Sequence, residues 1–257
     1  MKRIIVGIGN MGRAIADGLK NEPTTFVVKS AEQQEFLQAR FPLADIIIYE
    51  DGIDITEAVL IIAVKPQRFD TLRFSGTADA VISVMAGVTL QQISRQIAAN
   101  AYIRAMPNLA ASCGFSTTAL TGSEGYRQEA ESLLESIGET FWLPSEKELD
   151  IATALAGSGP AFLAVIAESM VDAAVREGMP RATAAGMVHS LFRGTTELLA
   201  NESPVTIKER VMSPGGTTAE GLFALESGGV RKTLFDAIAA AHRKAAALGA
   251  PKKEDTY

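Results

Sequence analysis

The chain has few residues that could staple a fold or ligate a metal. Its one cysteine, Cys113, excludes an internal disulfide and is typical of proteins from a reducing compartment. No base lies near it in the sequence, so we predict a small buried side chain. The two histidines, His189 and His242, are too few for a structural zinc site and are expected to be structural.

Basic residues are outnumbered by acidic ones, and long apolar runs are also scarce. The net charge is −6, which disfavours nucleic acid as the main partner. We expect no apolar run to reach the roughly 18–20 residues that span a bilayer. The run at residues 4–6 is too short for a signal peptide and predicts a first strand. We therefore expect a cytoplasmic protein with a small-molecule ligand, without contacts to membrane or nucleic acid.

The first half of the chain alternates between strand-like and helix-like segments. The patterns predict strands over residues 3–6, 26–29, 45–49, 58–64, 80–85 and 101–106, and helices over 10–20, 31–40 and 90–98. Such alternation is typical of an α/β fold, in which helices cover both faces of a parallel sheet.

The second half changes character after about Leu143 and is rich in alanine and leucine. Helices are predicted over residues 150–156, 161–177, 181–200, 218–227 and 231–248. The helix at 161–177 is apolar nearly all round, so a small domain cannot bury it alone and we infer a subunit interface. We divide the chain into a dinucleotide-binding domain, 1–146, and an all-α substrate-binding and dimerisation domain, 147–257. The polar tail at 251–257 is expected to fray.

A glycine-rich loop follows the first predicted strand and opens the first predicted helix. It comprises Gly7, Ile8, Gly9, Asn10, Met11 and Gly12. In this context the three glycines allow a tight turn, close approach of a diphosphate and close packing of helix on strand. A glycine-rich turn without a ligand is the alternative, and its place at the start of a βαβ series favours a dinucleotide.

The end of the second strand bears on the choice between NAD and NADP. A carboxylate for the ribose hydroxyls is usual there in NAD sites, whereas this strand ends at Lys29 and Ser30. These side chains suit a 2′-phosphate and favour NADP, with NADPH preferred over NADH. Ser30 also has the spacing of a helix N-cap with Gln33, and Glu32 could serve a ribose or repel a phosphate.

Three further loops leave predicted strands at the same edge of the sheet. They contain Lys65 with Pro66, Ala86 with Gly87, and Asn108. Lys65 could steer an anionic substrate or contact the cofactor, and Asn108 could bond the nicotinamide or its ribose. Each residue alone could merely end a strand, but together they outline a crevice where such sheets bind ligands.

A second glycine-rich loop lies near the end of the chain and contains Ser213, Gly215, Gly216, Thr217 and Thr218. The spacing from Thr217 to Glu220 predicts a helix that begins with a capping box. An ordinary helix connection is the alternative. Exposed amides and hydroxyls at a positive helix end suit a carboxylate. The stretch around Ser158, at 157–160, could be a bare helix break or the floor of the same pocket.

These motifs resemble those of the Δ1-pyrroline-5-carboxylate reductases, the last enzymes of proline synthesis, over essentially the whole chain. The residues that carry the resemblance are the first glycine loop, residues 63–67, 104–108 and 157–162, and the loop at 213–218. The chain departs from the pattern at Asn201, where some members carry a glutamate; here Glu202 follows one place later.

The resemblance implies a Rossmann domain, a helical dimerisation domain and a homodimer, or higher oligomer, in which the partner completes the site. By similarity, Ser213, Thr217 and Thr218 bind the pyrroline carboxylate. Lys29, Ser30, Ala63, Val64, Lys65, Pro66, Ala86 and Gly87 would line NADP.

Reduction of a cyclic imine needs a hydride donor and an oriented substrate, so a strong general acid is optional. We expect Thr218, with Ser213, to carry the catalytic contacts, and Thr218 or an ordered water to relay the proton. Another imine reductase, a β-hydroxyacid dehydrogenase or a non-catalytic NADP sensor are the alternatives. The dehydrogenases usually need a lysine on the first helix after the linker, and the helix predicted at 150–156 has none. A methyltransferase is disfavoured by the basic end of the second strand.

Overall fold

The computed structural model of the chain describes residues 2–42 and 44–249. The tail predicted to fray, 251–257, therefore lies outside the described residues. By its internal contacts the chain divides into two compact units. The first contains the described residues up to Pro160 and from Ala240 onward, and the second is Ala161–Ala239. The functional boundary between residues 146 and 147 remains a prediction.

The first unit is built on an eight-stranded sheet and a separate two-stranded ladder. The strands are β1 (Lys2–Val6), β2 (Thr25–Val28), β3 (Asp45–Ile48), β4 (Ile53–Asp54), β5 (Ala58–Ile62), β6 (Phe74–Ser75), β7 (Ala80–Ser83), β8 (Tyr102–Met106), β9 (Ser116–Gly122) and β10 (Gly138–Trp142). The order in the large sheet is β10-β9-β8-β7-β5-β1-β2-β3, and β4 pairs with β6. All pairs are parallel except β8 with β9, so the predicted parallel-dominated α/β fold is confirmed.

The helices of this unit cover an apolar sheet. They are α1 (Asn10–Gly18), α2 (Ala31–Arg40), α3 (Pro66–Phe69), α4 (Leu90–Gln96), α5 (Arg127–Leu134) and α6 (Glu146–Ala152). Every residue of the central strand β5 is buried. Because side chains alternate along a strand, Val59 and Ile61 belong to one core cluster, and Leu60 and Ile62 to another. The sheet therefore separates two apolar layers.

Strands β9 and β10 and helix α5 were not predicted. A parallel crossover needs about a dozen or more connecting residues, and only residues 107–115 lie between β8 and β9. That short connection, which includes the 3-10 helix Leu109–Cys113, turns the chain back antiparallel. The threonine-rich run of β9 was the available signal, since β-branched residues favour strands.

The remaining helices are α7 (Gly159–Arg176), α8 (Arg181–Asn201), α9 (Pro204–Val211), α10 (Thr217–Ser227) and α11 (Val230–Gly249). Helix α9 was not predicted. Its start has a clear local cause, because Ser203 Oγ accepts from the N–H of Thr206 over 3.2 Å and Pro204 occupies the first helical position.

Helix α7 exposes its apolar side chains in the single chain. None of its residues is buried, and Leu163 and Val165 are 54% and 61% exposed. The helical stretch Glu146–Arg176 is long and apolar enough, by length and composition alone, to cross a membrane, with 11% of its most apolar window buried. The expectation that no apolar run reaches that length is therefore wrong. The π-helical turn Thr153–Gly157 continues the helical stretch where the sequence suggested a break.

Candidate functional site

The loop between β1 and α1 is shaped by the space around its three glycines. Gly7 has a φ of +96°, and a Cβ there would lie 2.7 Å from the side chain of Val64. A Cβ on Gly12 would lie 2.0 Å from the carbonyl oxygen of Gly7, so only glycine lets helix and loop approach this closely. Around Gly9, no heavy atom of the described residues lies within 4 Å of the Cβ position. The loop therefore leaves open space at Gly9.

Helix α1 starts next to this open space. It begins at Asn10, and its N-cap, Gly9, contributes no side-chain cap. The first N–H groups of a helix lack acceptors within the helix and form its positive end. Ile8 is buried and Met11 packs against the core, so the residues on either side of Gly9 and Asn10 are held in place. The arrangement suits an anion such as a diphosphate.

The carboxyl end of β2 leads into a capped helix. The N–H of Gln33 donates to Ser30 Oγ over 3.4 Å, so the predicted N-cap of α2 is confirmed. The return bond differs from a capping box, because Gln33 Oε1 accepts from the N–H of Lys29, over 3.3 Å, rather than from Ser30. The Lys29 side chain is exposed.

A cavity of about 440 Å³ opens between the glycine loop, the ends of β2 and β3, and the segment after β5. Small-molecule sites usually have volumes of roughly 300–1,000 Å³, so it is large enough to hold much of a nucleotide. The cavity brings together many of the predicted cofactor residues. Those that line it are Gly7, Ile8, Gly9, Lys29, Ala63, Val64 and Lys65.

The charged residues that line this cavity are all cations. Lys29, Lys65 and Arg68 line it, and no carboxylate is among its lining residues. None of the ion pairs among the described residues involves these three cations. Glu32 is exposed on α2 and does not line the cavity. A local cationic site thus exists in a chain whose net charge is −6.

Sequence reasoning missed Arg68 as a member of this cavity. It lies on the short helix α3, three residues after Lys65, so its proximity to the predicted loop was the available signal. Pro66 is the first residue of the same helix, a position that favours proline because no N–H is needed there.

Several other predicted cofactor residues lie outside the cavity lining, namely Asn10, Met11, Gly12, Ser30, Pro66, Ala86, Gly87 and Asn108. Ala86 is exposed in the loop after β7. Gly87 has a φ of +71°, and a Cβ there would lie 2.7 Å from Cβ of Leu248 in α11. Glycine at this position therefore allows the C-terminal helix to approach the loop.

The side chain of Asn108 is engaged in structural hydrogen bonds. Its Oδ1 accepts from the N–H of Ala110 over 3.1 Å, and its Nδ2 donates to the carbonyl of Ala156 over 3.1 Å. It is 8% exposed. Asn108 thus caps the 3-10 helix after β8 and joins it to the π-helical turn, and its predicted cofactor contact remains a hypothesis.

The second glycine-rich loop forms a tight turn before α10. Gly215 has a φ of +68°, and the N–H of Gly216 donates to the carbonyl of Ser213 over 3.0 Å. A Cβ on Gly216 would lie 2.3 Å from Ser213 Oγ, so the serine hydroxyl occupies the space beside this glycine. The turn delivers Thr217 and Thr218 to the first turn of the helix.

The predicted helix start is correct, but its cap is not a capping box. Gly216 is the N-cap residue, and no side-chain cap is formed there, so Thr217 does not cap Glu220 as expected. Thr217 is already the first helical residue, one position too late to act as the cap. Its side chain is exposed, and that of Thr218 is partly buried. Their hydroxyls stand at the positive end of an eleven-residue helix.

Ser158 belongs to the first compact unit, whereas Ser213–Thr218 belong to the second. The N–H of Ser158 donates to the carbonyl of Thr153 over 3.1 Å, which closes the π-helical turn. The stretch at 157–160 is therefore a continuation of helix rather than a bare break. The role of Ser158 in a substrate pocket remains a prediction.

Two sequence-based interpretations of reactive side chains need correction. Cys113 is exposed rather than buried, at the end of the 3-10 helix Leu109–Cys113, where its thiol donates to the carbonyl of Ala110 over 3.2 Å.

The helix predicted at 150–156 begins earlier, at Glu146, and contains Lys147. The argument that this helix has no lysine was therefore wrong. Lys147 is exposed.

The position where some family members carry a glutamate has a different arrangement here. Asn201 Nδ2 donates to the carbonyl of Glu197 over 3.1 Å, within α8. The next residue, Glu202, accepts a hydrogen bond from Arg210 of α9. This hydrogen bond, followed by the charge of Glu202, raises the pKa of Arg210 above its ordinary value. Glu202 is thus paired with a cation.

Two family models match the chain. A model described as NADP oxidoreductase, coenzyme F420-dependent, matches residues 3–87, which contain the glycine loop and all the residues that line the cavity. A model described as pyrroline-5-carboxylate reductase dimerisation matches residues 146–248. One match falls in the predicted dinucleotide-binding half and the other in the predicted helical half.

Curated relatives match nearly the full length. The pyrroline-5-carboxylate reductase of Thermus thermophilus is 36% identical over 262 residues, with 97% of this chain and 99% of the relative covered. That of Synechocystis is 34% identical, with 95% and 97% covered.

Solved structures agree with these matches. The 1-pyrroline-5-carboxylate reductase of Streptococcus pyogenes has a TM-score of 0.82 at 33% identity, with 95% of this chain and 98% of that one covered. The pyrroline carboxylate reductase of Plasmodium falciparum, solved with NADP bound, shares the fold at a TM-score of 0.78 and 23% identity, with 97% and 100% covered.

The fold, the cationic cavity at its glycine loop and the match to an NADP oxidoreductase model together place the chain among the dinucleotide-dependent oxidoreductases, with a helical C-terminal part. The identity to the Thermus thermophilus enzyme extends over essentially both whole chains. The chain belongs to the pyrroline-5-carboxylate reductase family.

Proposed function

We propose that this protein reduces L-1-pyrroline-5-carboxylate to L-proline, the last step of proline biosynthesis, with NADPH as the preferred donor. The single observation that carries the proposal is the whole-length similarity to curated enzymes of that activity. Fold alone would not license a reaction, since one fold hosts many activities.

The residues of the cavity fit a dinucleotide. Gly9 leaves open space at the start of α1, where a diphosphate would meet the positive helix end. When bound, NADPH supplies a hydride. Gly7, Ile8, Gly9, Asn10, Met11 and Gly12 would form the diphosphate loop, and Ala63, Val64, Lys65 and Pro66 would hold the middle of the cofactor, with Ala86, Gly87 and Asn108 beyond it.

The preference for NADPH is supported by charge. Lys29 stands at the end of β2, and no carboxylate lines the cavity to receive ribose hydroxyls. Ser30 occupies the N-cap of α2, so the positive end of that helix adds to the same field. A phosphate carrying nearly two negative charges gains more from this environment than a hydroxyl does.

The substrate carboxylate is assigned to the start of α10. The N–H groups of the first helical turn, after Gly215 and Gly216, would donate to it together with the hydroxyls of Ser213, Thr217 and Thr218. Ser158, which directly follows the π-helical turn, is a further candidate for contact with the substrate. Thr218 or an ordered water would relay the proton that the product nitrogen takes up. A strong general acid is not needed, because reduction of a cyclic imine depends mainly on the hydride donor and on the orientation of the substrate.

We further propose a cytoplasmic homodimer, or a higher oligomer, in which the partner completes the site. The support is the exposed apolar surface of α7 together with the match to a dimerisation family. A monomer in water would leave this surface hydrated, at a cost of about 25 cal/mol for each Å² of apolar area.

A coupled assay tests the proposal. Purified protein, NADPH and pyrroline-5-carboxylate should give a loss of NADPH absorbance and formation of proline, with a higher kcat/KM for NADPH than for NADH. Turnover of other cyclic imines without this one would point to a different imine reductase. NADPH binding without any turnover would favour a sensor and would contradict the proposed activity.

A further inference from the structure

Arg68 has a fixed backbone and an uncommitted side chain. Its N–H donates to the carbonyl of Lys65 over 2.8 Å, and its own carbonyl accepts from Thr71 Oγ1 over 2.7 Å. Its guanidinium takes part in none of the ion pairs or side-chain hydrogen bonds among the described residues, although it lines the cavity. The position of the residue is therefore set before any ligand arrives.

A nearby arginine shows the contrast. Arg73 lies five residues further on, and its Nη1 donates to the carbonyls of Asp70 and Leu72 over 2.9 Å and 3.0 Å. That guanidinium is committed to its own loop, and Arg73 does not line the cavity. Arg68 thus keeps its donors available to a ligand, and Arg73 does not.

The charge balance of the bound cofactor asks for such a group. A phosphate monoester carries about −1.5 to −2 charges at pH 7, so Lys29 alone leaves part of a 2′-phosphate unneutralised. Lys65 follows Ala63 and Val64, beside Gly7 of the diphosphate loop. Arg68 is the further cation of the cavity lining, and a planar guanidinium can bind two phosphate oxygens at once.

We infer that Arg68 is a specificity-determining residue for the cofactor, and that its guanidinium pairs with the 2′-phosphate of NADPH. It does so from the segment after β5, while Lys29 does so from the end of β2. The inference rests on the proposed function, in particular on its NADPH preference. Contacts to a 2′-phosphate are usually expected at the carboxyl end of β2. The inference adds a contact from a second place, the short helix that follows β5.

The test isolates the 2′-phosphate. Calorimetry with the full chain would compare 2′,5′-ADP and 5′-AMP, which differ only in that group, for wild type, Arg68→Ala and Arg68→Lys. Arg68→Ala should weaken 2′,5′-ADP about 10- to 100-fold, the scale of a charge-assisted hydrogen bond, and change 5′-AMP less than about two-fold. Arg68→Lys should recover part of the loss.

Arg95→Ala is the matched control, because Arg95 is an exposed arginine of α4 that does not line the cavity. It should bind both probes as wild type does. Equal weakening of both probes by Arg68→Ala would mean an adenine contact or a distorted cavity and would overturn the inference. So would unchanged 2′,5′-ADP binding. If wild type itself failed to distinguish the two probes, the NADPH preference would fail as well.

Discussion

The buried guanidinium of Arg104 donates from Nη1 to Oε1 of Glu146 over 2.7 Å, which ties β8 to the first turn of α6. The same carboxyl oxygen accepts from the N–H of Leu90 over 3.0 Å, at the start of α4. Asp150 lies one turn further along α6, 3.9 Å from Nη2. One carboxylate thus joins three elements of the first unit.

We expect Arg104→Met to destabilise the protein by about 2 kcal/mol. Loss of one partner from a fully buried pair costs roughly 3–5 kcal/mol, but the Glu146 side chain is 33% exposed and water can solvate part of it. Glu146→Gln keeps an acceptor for both donors and should cost about 1 kcal/mol. Urea unfolding followed by Trp142 fluorescence checks this, since the only tryptophan lies in β10. Values of both variants within about 0.5 kcal/mol of wild type would contradict it.

Two glycines of the first loop should respond differently to the same added methyl. Gly12→Ala forces a carbon against the carbonyl of Gly7 and should destabilise by about 3 kcal/mol or more. Gly9→Ala meets open space, so its melting temperature should stay close to wild type. It should nevertheless weaken NADPH binding about ten-fold or more, because the methyl stands where the diphosphate would lie. Thermal melts and NADPH fluorescence titrations separate the two effects. Unimpaired NADPH binding by Gly9→Ala would remove the diphosphate from this loop.

Thr218→Ala tests the assignment at the start of α10. A lost hydrogen bond to a charged group should lower kcat/KM for pyrroline-5-carboxylate by one or two orders of magnitude, about 10- to 100-fold, while NADPH affinity stays the same. Thr195→Ala is the control, because its Oγ1 donates to the carbonyl of Leu191 within α8. An unchanged kcat/KM for Thr218→Ala would exclude Thr218 from the site.

Leu163→Asp tests the proposed dimer. Leu163 is 54% exposed in the single chain, so a charge there should be tolerated by a monomer but not by an apolar interface. We expect a shift to monomer in light scattering, with loss of most activity. Phe36→Asp, at a 53% exposed phenylalanine of α2, should leave the oligomer intact. A dimer that survives Leu163→Asp would place the interface elsewhere.

The parts of the fold that the sequence predicted were those with strong local causes. The run of β5 is apolar on both faces, and Ser30 carries the oxygen that caps α2. Strands β9 and β10 were missed because their side chains are only half apolar, and because β10 pairs with β9 only after β9 has turned back antiparallel on β8. Such pairing is a tertiary effect that no short window of sequence contains.

The candidate site was predictable to the same degree. The glycine loop and Lys65 line one cavity because parallel strands bring their carboxyl ends to one edge. Arg68 was missed because its position follows from a four-residue helix that begins at Pro66. Exposure of Cys113 was missed as well, since it depends on the 3-10 helix that turns the chain between β8 and β9.

The approach of Leu248 to Gly87 has a practical consequence for anyone who dissects the molecule. The described residues from Ala240 onward belong to the same compact unit as the nucleotide cavity, so that unit is discontinuous in the chain. A fragment that stops near residue 146 would lack the end of α11, which approaches Gly87, and would expose the loop after β7. The cofactor-binding half expressed alone would therefore be less stable than its sheet suggests. Its stability would depend on including α11 as well.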